Sequence, residues 1–126
     1  MSTRSEAQQT RELERNDWGA FFDDLNRKLE RGTELEATIE LMSEQIVGPE
    51  AERLPLTGIT YEDGDDEIAI GVGGRGQRFP AVLWHFVESP EKVWTLEEDG
   101  ELRAIAVQSE DGTRTLFGLH PAAGSS

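Results

Sequence analysis

Residues 16–32 read NDWGAFFDDLNRKLERG, and this stretch decides how the rest of the chain is interpreted. Its apolar residues recur at the spacing of one helical face, while charged residues fill the opposite face. Asn16 or Asp17 suits the N-terminal cap of such a helix, and Gly32 suits its C-terminal stop. The apolar positions are Trp18, Phe21, Phe22, Leu25 and Leu29. Because an isolated helix of this length is marginal in water, we expect this stripe to pack on another element.

The sequence beyond the helix alternates between apolar and polar residues, as β-strands do. The pattern predicts strands at 35–41, 56–61, 68–72, 93–97, 102–108 and 113–119, with a bulge at Gly58 and a loop over 43–53. Asp99-Gly100 and Asp111-Gly112 each favour a two-residue hairpin turn. Residues 81–88 are apolar on both faces. For them we expect a strand covered on both sides, with a short helix starting at Pro80 left open as the alternative.

These elements predict a single α+β domain, in which the N-terminal amphipathic helix packs on a bent antiparallel β-meander of about five to seven strands. The order of elements is also similar to that of a small Sm- or SH3-like barrel, by fold analogy alone. We expect the domain to span residues 16–119. A flexible arm at 1–15 would precede it, and a disordered tail at 120–126 would follow it.

The chain is strongly acidic, with 12 Lys+Arg against 26 Asp+Glu and a net charge of -14 over 126 residues. Residues 1–31 carry 6 basic and 7 acidic side chains, so the other 95 carry 6 and 19, a net of -13. This charge opposes binding to nucleic acid and to anionic membranes. Lysine occurs only at Lys28 and Lys92, against ten arginines. Two interpretations stay open, a high-salt environment or a generically acidic surface in a high-GC genome.

Composition also bears on location and on metal sites. There is no cysteine, no apolar run long enough for a membrane span and no apolar core of a secretory signal near the N-terminus. We therefore expect a cytoplasmic protein. The two histidines, His85 and His120, are far apart in sequence, so we expect no zinc site of the usual type and no cofactor.

Several short segments resemble a small prokaryotic family, domain of unknown function family 5335. The resemblance lies in residues 18–27 (WGAFFDDLNR), 55–61 (PLTGITY), 72–76 (VGGRG) and 85–87 (HFV), followed by Pro90 and Val93-Trp94. It covers about residues 16–119. The family supplies no activity, so the resemblance supports the domain and leaves its function open.

The glycine-rich segment 71–78, GVGGRGQR, is the strongest candidate for a binding site. Glycines let backbone N–H groups approach an anion, and arginine suits carboxylate or phosphate. We predict a small acidic binding module that contacts a small anion or an unknown protein partner through this loop and the adjacent residues. The alternative for the loop is a hairpin tip whose arginines pair with nearby carboxylates. The candidate residues are Gly73, Gly74, Arg75, Gly76, Arg78, Trp84 and His85.

The sequence is compatible with two other functions. A small hydrolase- or transferase-like enzyme would use His85 with a nearby carboxylate, although the commoner fate of such a histidine is a hydrogen bond in the core. An Sm-like nucleic-acid binder is disfavoured by the charge. The sequence contains no recognisable catalytic constellation, so we expect a binding module rather than an enzyme. Self-association through a sheet edge belongs to the same class of function.

Overall fold

The structure is a computed structural model that describes residues 8–42, 47–75 and 79–121. Within these residues one helix and eight strands confirm the α+β class. In chain order the elements are β1 (Gln8–Leu13), α1 (Arg15–Glu30), β2 (Leu35–Met42), β3 (Val47–Glu62), β4 (Glu67–Arg75), β5 (Phe79–Glu88), β6 (Pro90–Glu98), β7 (Glu101–Ser109) and β8 (Arg114–Pro121).

The eight strands form one antiparallel sheet in the order β1-β6-β7-β8-β2-β3-β4-β5. The sheet has more strands than predicted, and it is open, since β1 and β5 each have one neighbour among the described strands; the Sm- or SH3-like barrel is therefore not formed. The additional pairing lies in polar segments. Residues 8–13 of the predicted arm pair with β6, and residues 47–51 of the predicted loop pair with β2. Strand pairing satisfies backbone groups, which a side-chain pattern does not reveal.

The aromatic stripe of α1 packs on the sheet as predicted. Trp18, Phe22 and Leu25 are buried, and the other two stripe residues are half-buried against the same core. The indole of Trp18 meets the ring of Tyr61 edge-on, with 5.2 Å between centroids. Strands β2 to β8 supply the rest of the core, which comprises Ala37, Ile39, Leu56, Ile59, Ile68, Ile70, Val72, Val87, Val93, Ile105, Val107, Phe117 and Leu119.

A pair of hydrogen bonds from Asn26 fixes α1 to β3. The side-chain Nδ2 of Asn26 donates to the carbonyl of Ile59 at 2.7 Å, and its Oδ1 accepts from the N–H of Ile59 at 2.9 Å. A Cβ at Gly58 would lie 3.3 Å from that Oδ1, so a larger residue would crowd the contact. A register shift between Leu56 and Gly58 confirms the predicted bulge. The helix is therefore held by side-chain hydrogen bonds to the backbone of β3 as well as by apolar contacts.

The start of α1 differs from the prediction. The helix begins at Arg15, before both predicted caps, and Glu14 at the cap position makes no side-chain capping hydrogen bond. Contacts with the sheet position this end instead. The guanidinium of Arg15 donates to the hydroxyl of Tyr61 at 3.0 Å, to Oδ1 of Asp66 at 3.2 Å and to the carbonyl of Pro90 at 2.8 Å. Sequence propensity could not reveal partners that lie so far along the chain.

The end of α1 and one of the two hairpin turns agree with the prediction from the sequence. Gly32 has a φ of 105°, and its N–H donates to the carbonyl of Leu29, which confirms the C-terminal stop. Asp99 and Gly100 have φ values of 54° and 82°, as a primed two-residue turn requires.

The turn at Asp111-Gly112 is of a different type. Only Gly112 has a positive φ, of 90°, and its N–H donates to the carbonyl of Ser109. The N–H of Ser109 in turn donates to the carbonyl of Thr113. This is a three-residue loop with a glycine bulge, so the prediction of two residues was wrong. The chain then runs to the end of β8, which includes His120 and Pro121 of the predicted tail; residues 122–126 lie outside the described residues.

Residues 81–88 form most of β5, which confirms the strand and excludes the helix. The expectation that this strand is covered on both sides was wrong, because β5 is an edge strand and Val87 is its one buried side chain among those described. The physical reason lies at Ser89. With a φ of 50°, this residue turns the chain into β6, which pairs with β1 and β7 rather than with β5.

Candidate partner-binding surface

The predicted site residues that the structure describes lie on the adjacent strands β4 and β5. The predicted set is Gly73, Gly74, Arg75, Gly76, Arg78, Trp84 and His85. Gly73 and Gly74 lie at the end of β4. Trp84 and His85 lie in the middle of β5, on opposite faces of the strand. The side chain of Arg75 and all of residues 76–78 lie outside what the structure describes. The role of the loop arginines therefore stays a prediction.

The end of β4 takes a backbone path that requires glycine. Gly73 and Gly74 have φ values of 94° and 77°, and the strand register shifts between Gly73 and Arg75. A Cβ at Gly74 would lie 2.5 Å from Cγ2 of Val82 on the partner strand. The hydroxyl of Thr57 donates to the carbonyl of Gly73 at 2.6 Å and holds this bend against β3. The glycines thus have a structural role whether or not the loop binds a ligand.

Four large apolar side chains on β5 are exposed to solvent. Val82 is 38% exposed, Leu83 60%, Trp84 49% and Phe86 52%, and we call these four residues the β5 patch. Val82, Trp84 and Phe86 alternate along the strand and share its outer face, whereas Leu83 lies on the face of buried Val87. Because large exposed apolar patches often mark interaction sites, this part of β5 is a candidate binding surface.

The position of Trp84 is fixed by a glycine on the neighbouring strand. Trp84 and Gly71 are direct partners in the β4–β5 register. A Cβ at Gly71 would lie 2.9 Å from two carbon atoms of the indole, so the ring covers the backbone at this position. Close packing on one side leaves Trp84 ordered although half of the residue is exposed, so a contact with it would cost little side-chain entropy.

The β5 edge combines free backbone groups with an absence of charge. Within the described strands, β5 pairs with β4 on one side only, so its other side presents N–H and C=O groups without a strand partner. Residues 79–87 contain no charged side chain, although 30% of the chain is charged. Natural sheet edges are commonly protected by charges, prolines or covering elements. The described part of β5 shows no such protection from Val82 to Val87.

His85 lies on the other face of β5, where it lines a shallow cavity of about 230 Å³. The residue is half-buried, and the described residues offer its imidazole no hydrogen bond. Asp111 lines the same cavity, but its carboxylate accepts the backbone N–H of Thr113 at 2.9 Å. That hydrogen bond lowers the pKa of Asp111 below its usual value. The structure therefore brings a histidine and carboxylates to one cavity without pairing them for catalysis.

A larger cleft lies between the end of α1 and the β6–β7 hairpin, with a volume of about 680 Å³. Its apolar lining consists of Leu25, Leu35, Leu102 and Leu119, and its charged lining consists of Lys28, Glu34, Glu101 and Arg103. The charged groups are two of each sign and include ion-paired side chains, as in the contact of 3.1 Å between Arg103 and Glu101. The cleft thus carries no net preference for a ligand of either charge.

Sequence reasoning missed three of the four patch residues, because an apolar run on both faces of a strand usually indicates burial. The signal that could have found them lies on β4. Ala69, Gly71 and Gly73 are the strand partners of Phe86, Trp84 and Val82. Small residues opposite large ones leave the large side chains without lateral neighbours on that face, and a sheet interior seldom has this arrangement.

Comparison with known proteins places the chain in a family. The model of a family of unknown function (DUF5335) matches residues 9–124, and the chain belongs to that family. An uncharacterized protein of Aquifex aeolicus (strain VF5) is 28% identical over 114 residues, which cover 90% of this chain and 94% of that protein. No solved structure matches the chain. In the described residues no helix has the length and apolar character needed to cross a membrane.

Most residues that carry the family resemblance fall in two regions of the structure, and the others, Pro90 and Val93-Trp94, lie on β6. Residues 18–27 and 55–61 meet at the contact of α1 with β3, where Asn26 binds the backbone of Ile59. Residues 72–75 lie at the end of β4, and residues 85–87 lie on β5 and include Phe86 of the patch. The first region has a structural explanation in the docking of the helix. In the second, Gly73 and Gly74 allow the bend of β4 and Val72 and Val87 are buried, whereas Phe86 is exposed.

Proposed function

We propose that this protein is a binding module whose β5 edge accepts an extended segment of a protein partner as an additional strand. The observation that carries the proposal is an edge strand bearing four exposed large apolar side chains. In strand addition, main-chain hydrogen bonds supply affinity and alternate side chains supply specificity. On β5, Trp84 and Phe86 would receive side chains on the outer face and Leu83 on the inner face. The proposed contact surface also includes Gly73, Gly74, Arg75, Gly76, Arg78 and His85.

Charge supports an uncharged or mildly acidic segment as the bound strand. The run 79–87 is neutral, and Arg75 and Arg78 are two of only six basic side chains in residues 32–126. Residues 32–126 are otherwise strongly acidic and would repel acidic partners, so within this part of the chain the two arginines favour acceptance of a carboxylate. In this proposal the loop arginines bind a carboxylate of the partner that follows the paired strand.

Selection of displayed peptides tests strand addition without knowledge of the natural partner. Peptides of about eight residues, the length of a typical strand, are selected against the wild-type protein, and their affinity is measured by calorimetry. Leu83→Lys should weaken the selected peptide by about tenfold or more, because a charge enters an apolar contact. Thr10→Lys, on the opposite edge strand β1, is the matched control and should leave affinity unchanged.

Modified peptides and a double variant separate the contribution of the β5 backbone from that of the loop arginines. Alternate amides of the bound peptide face β5, and the others face away from it. N-methylation of the amides that face β5 should abolish binding, whereas N-methylation of the others should leave it intact. The double change Arg75→Ala and Arg78→Ala should weaken peptides with a carboxylate after the paired segment and leave neutral peptides unaffected. Equal affinity for wild type and Leu83→Lys would exclude β5 as the binding edge.

A small hydrolase- or transferase-like enzyme is the second candidate, and one observation favours it. His85 lines an open cavity together with Glu88 and Asp111 rather than being enclosed in the core. A general base needs an oriented partner and room for a substrate. The cavity provides room, whereas the described residues provide no hydrogen-bonded partner. Turnover of chromogenic esters or phosphoesters that is lost in His85→Gln would support the enzyme, and turnover that survives the change would exclude this role of His85.

A further inference from the structure

The two edges of the sheet differ in what they can pair with. The exposed residues of β1 are polar or charged, namely Gln8, Gln9, Thr10, Arg11 and Glu12. Pairing of β1 with β5 of another copy would set charged residues against the apolar patch. The edges left free would again be one β1 and one β5, so the same contact would repeat into an open filament. Pairing of β5 with β5 sets like against like and closes after two copies.

We infer that the strand added at the β5 edge is β5 of a second copy of this chain, antiparallel to the first and related to it by a two-fold axis at Trp84. This inference rests on the proposed function, because it names the occupant of the same edge. The alternation of the patch fixes the register. Val82 and Phe86 lie two residues to either side of Trp84 on the same face. An axis at Trp84 therefore pairs Val82 of each copy with Phe86 of the other and brings the two indoles together.

The side-chain pairs in this register are favourable ones. Aromatic residues opposite β-branched or aromatic residues stabilise antiparallel strands more than most pairs do. On the inner face the same register sets Leu83 of one copy opposite His85 of the other. Both are at least partly exposed in the single chain, so neither has to leave a packed environment before pairing.

Electrostatics favours an antiparallel pair over a parallel one. Each copy has a net charge of -14, and Glu88 is the acidic residue that ends the neutral run on β5. In the antiparallel register Glu88 of one copy is level with position 80 of the other, so the two Glu88 residues are about 26 Å apart along the strands. That distance exceeds the Debye length of about 8 Å at physiological salt. A parallel pair would hold the same two carboxylates on adjacent strands, about 5 Å apart.

Sedimentation equilibrium of the full chain tests the inference directly. The wild type should be a dimer at concentrations of tens of micromolar, and Leu83→Lys should weaken the dimer by about a hundredfold or more, because two lysines enter each interface. Leu83 is largely exposed, so the variant should keep its fold, which circular dichroism verifies. Thr10→Lys on β1 should remain a dimer.

Cysteine cross-linking tests the register, since the chain has no cysteine of its own. A mixture of Leu83→Cys and His85→Cys chains should form a disulfide-linked dimer on mild oxidation, because directly opposite residues have the Cα separation that a disulfide needs. A mixture of Thr10→Cys and Glu12→Cys chains should not form one. Cross-linking of the β1 pair but not of the β5 pair would overturn the inference.

The remaining outcomes separate this inference from the proposed function. A wild type that stays monomeric at hundreds of micromolar overturns the second copy as occupant. If selected peptides still bind that monomer and lose affinity in Leu83→Lys, the binding function of the β5 edge stands with another partner. If peptide binding also ignores Leu83→Lys, both are wrong. A dimer that Leu83→Lys leaves intact places the interface elsewhere and overturns the inference.

Discussion

The contact of α1 with β3 and the β5 patch are both built around a tryptophan, yet their surroundings are opposite. Trp18 is 1% exposed because the helix presses it into the core, whereas Trp84 is 49% exposed because one side of its ring rests on Gly71 and nothing described covers the other. The same residue type thus serves folding in one region and leaves apolar surface available in the other. The presence of a second layer decides between these roles.

The largest predicted effect comes from replacing each of the two tryptophans with alanine. Trp18→Ala should lower the free energy of unfolding by about 3–5 kcal/mol, because it leaves a cavity in the core. Trp84→Ala should lower it by less than about 1.5 kcal/mol, since much of the side chain is already in water. Urea denaturation measures both. Equal losses would show that the β5 patch is part of the folding core and contradict its role as a free surface.

A smaller effect is expected from the polar contact between α1 and β3. Asn26→Ala should cost about 1–3 kcal/mol, because the N–H and C=O of Ile59 lose their side-chain partners at the helix–sheet contact. The control is Asn16→Ala, an exposed asparagine in the first turn of the same helix, which should change stability by less than about 0.5 kcal/mol. Equal effects of the two changes would mean that the Asn26 bonds add nothing beyond helix propensity.

Next in size is a backbone effect in the β4–β5 hairpin. Gly74→Ala should cost about 1–2 kcal/mol, because alanine at a φ of 77° is strained, and its Cβ would also press on Val82. Gly64→Ala, in the β3–β4 turn, has nothing within 4 Å of the added carbon and should be nearly neutral. Chemical denaturation of the two variants measures the difference. A neutral Gly74→Ala would show that the hairpin end rearranges readily.

The smallest predicted effect is a pH dependence from His120. Burial lowers the pKa of this imidazole; Arg53 and Arg103 lower it further, and Glu36 opposes them. Because the folded state binds fewer protons than the unfolded state below about pH 6.5, stability should fall as the pH drops through this range. His120→Gln should flatten that part of the curve between about pH 7.5 and about pH 5. An unchanged slope in the variant would assign the pH dependence to other groups.

The sequence was sufficient for features that depend on local chemistry. The stripe from Trp18 to Leu29, the stop at Gly32 and the turn at Asp99-Gly100 each follow from side-chain spacing or from a required φ. The strand β1, the first part of β3 and the start of α1 at Arg15 were not predicted. Those features depend on backbone pairing and on contacts with distant residues, which leave no periodic mark in the sequence.

The candidate surface was predicted only in part, because the position of a strand in the sheet also depends on distant residues. The hairpin was located by its glycines, but apolar residues on both faces of β5 indicated burial, because a sequence pattern does not state where a strand lies in the sheet. Position in the sheet follows from topology. Ser89 turns the chain toward β6 and leaves β5 at the edge. The position of this apolar strand at an exposed edge rather than in the core therefore depends on a corner outside the strand itself.

Amide hydrogen exchange at the two sheet edges tests the central claim most directly, because β1 and β5 serve as each other's control in one sample. At high protein concentration, or when a selected peptide is bound, the amides of residues 82–87 should exchange more slowly than in a dilute sample without peptide. The exposed amides of residues 8–12 should exchange at the same rate in all conditions. Exchange at β5 that ignores both concentration and peptide, or protection that develops at β1 instead, would contradict the account.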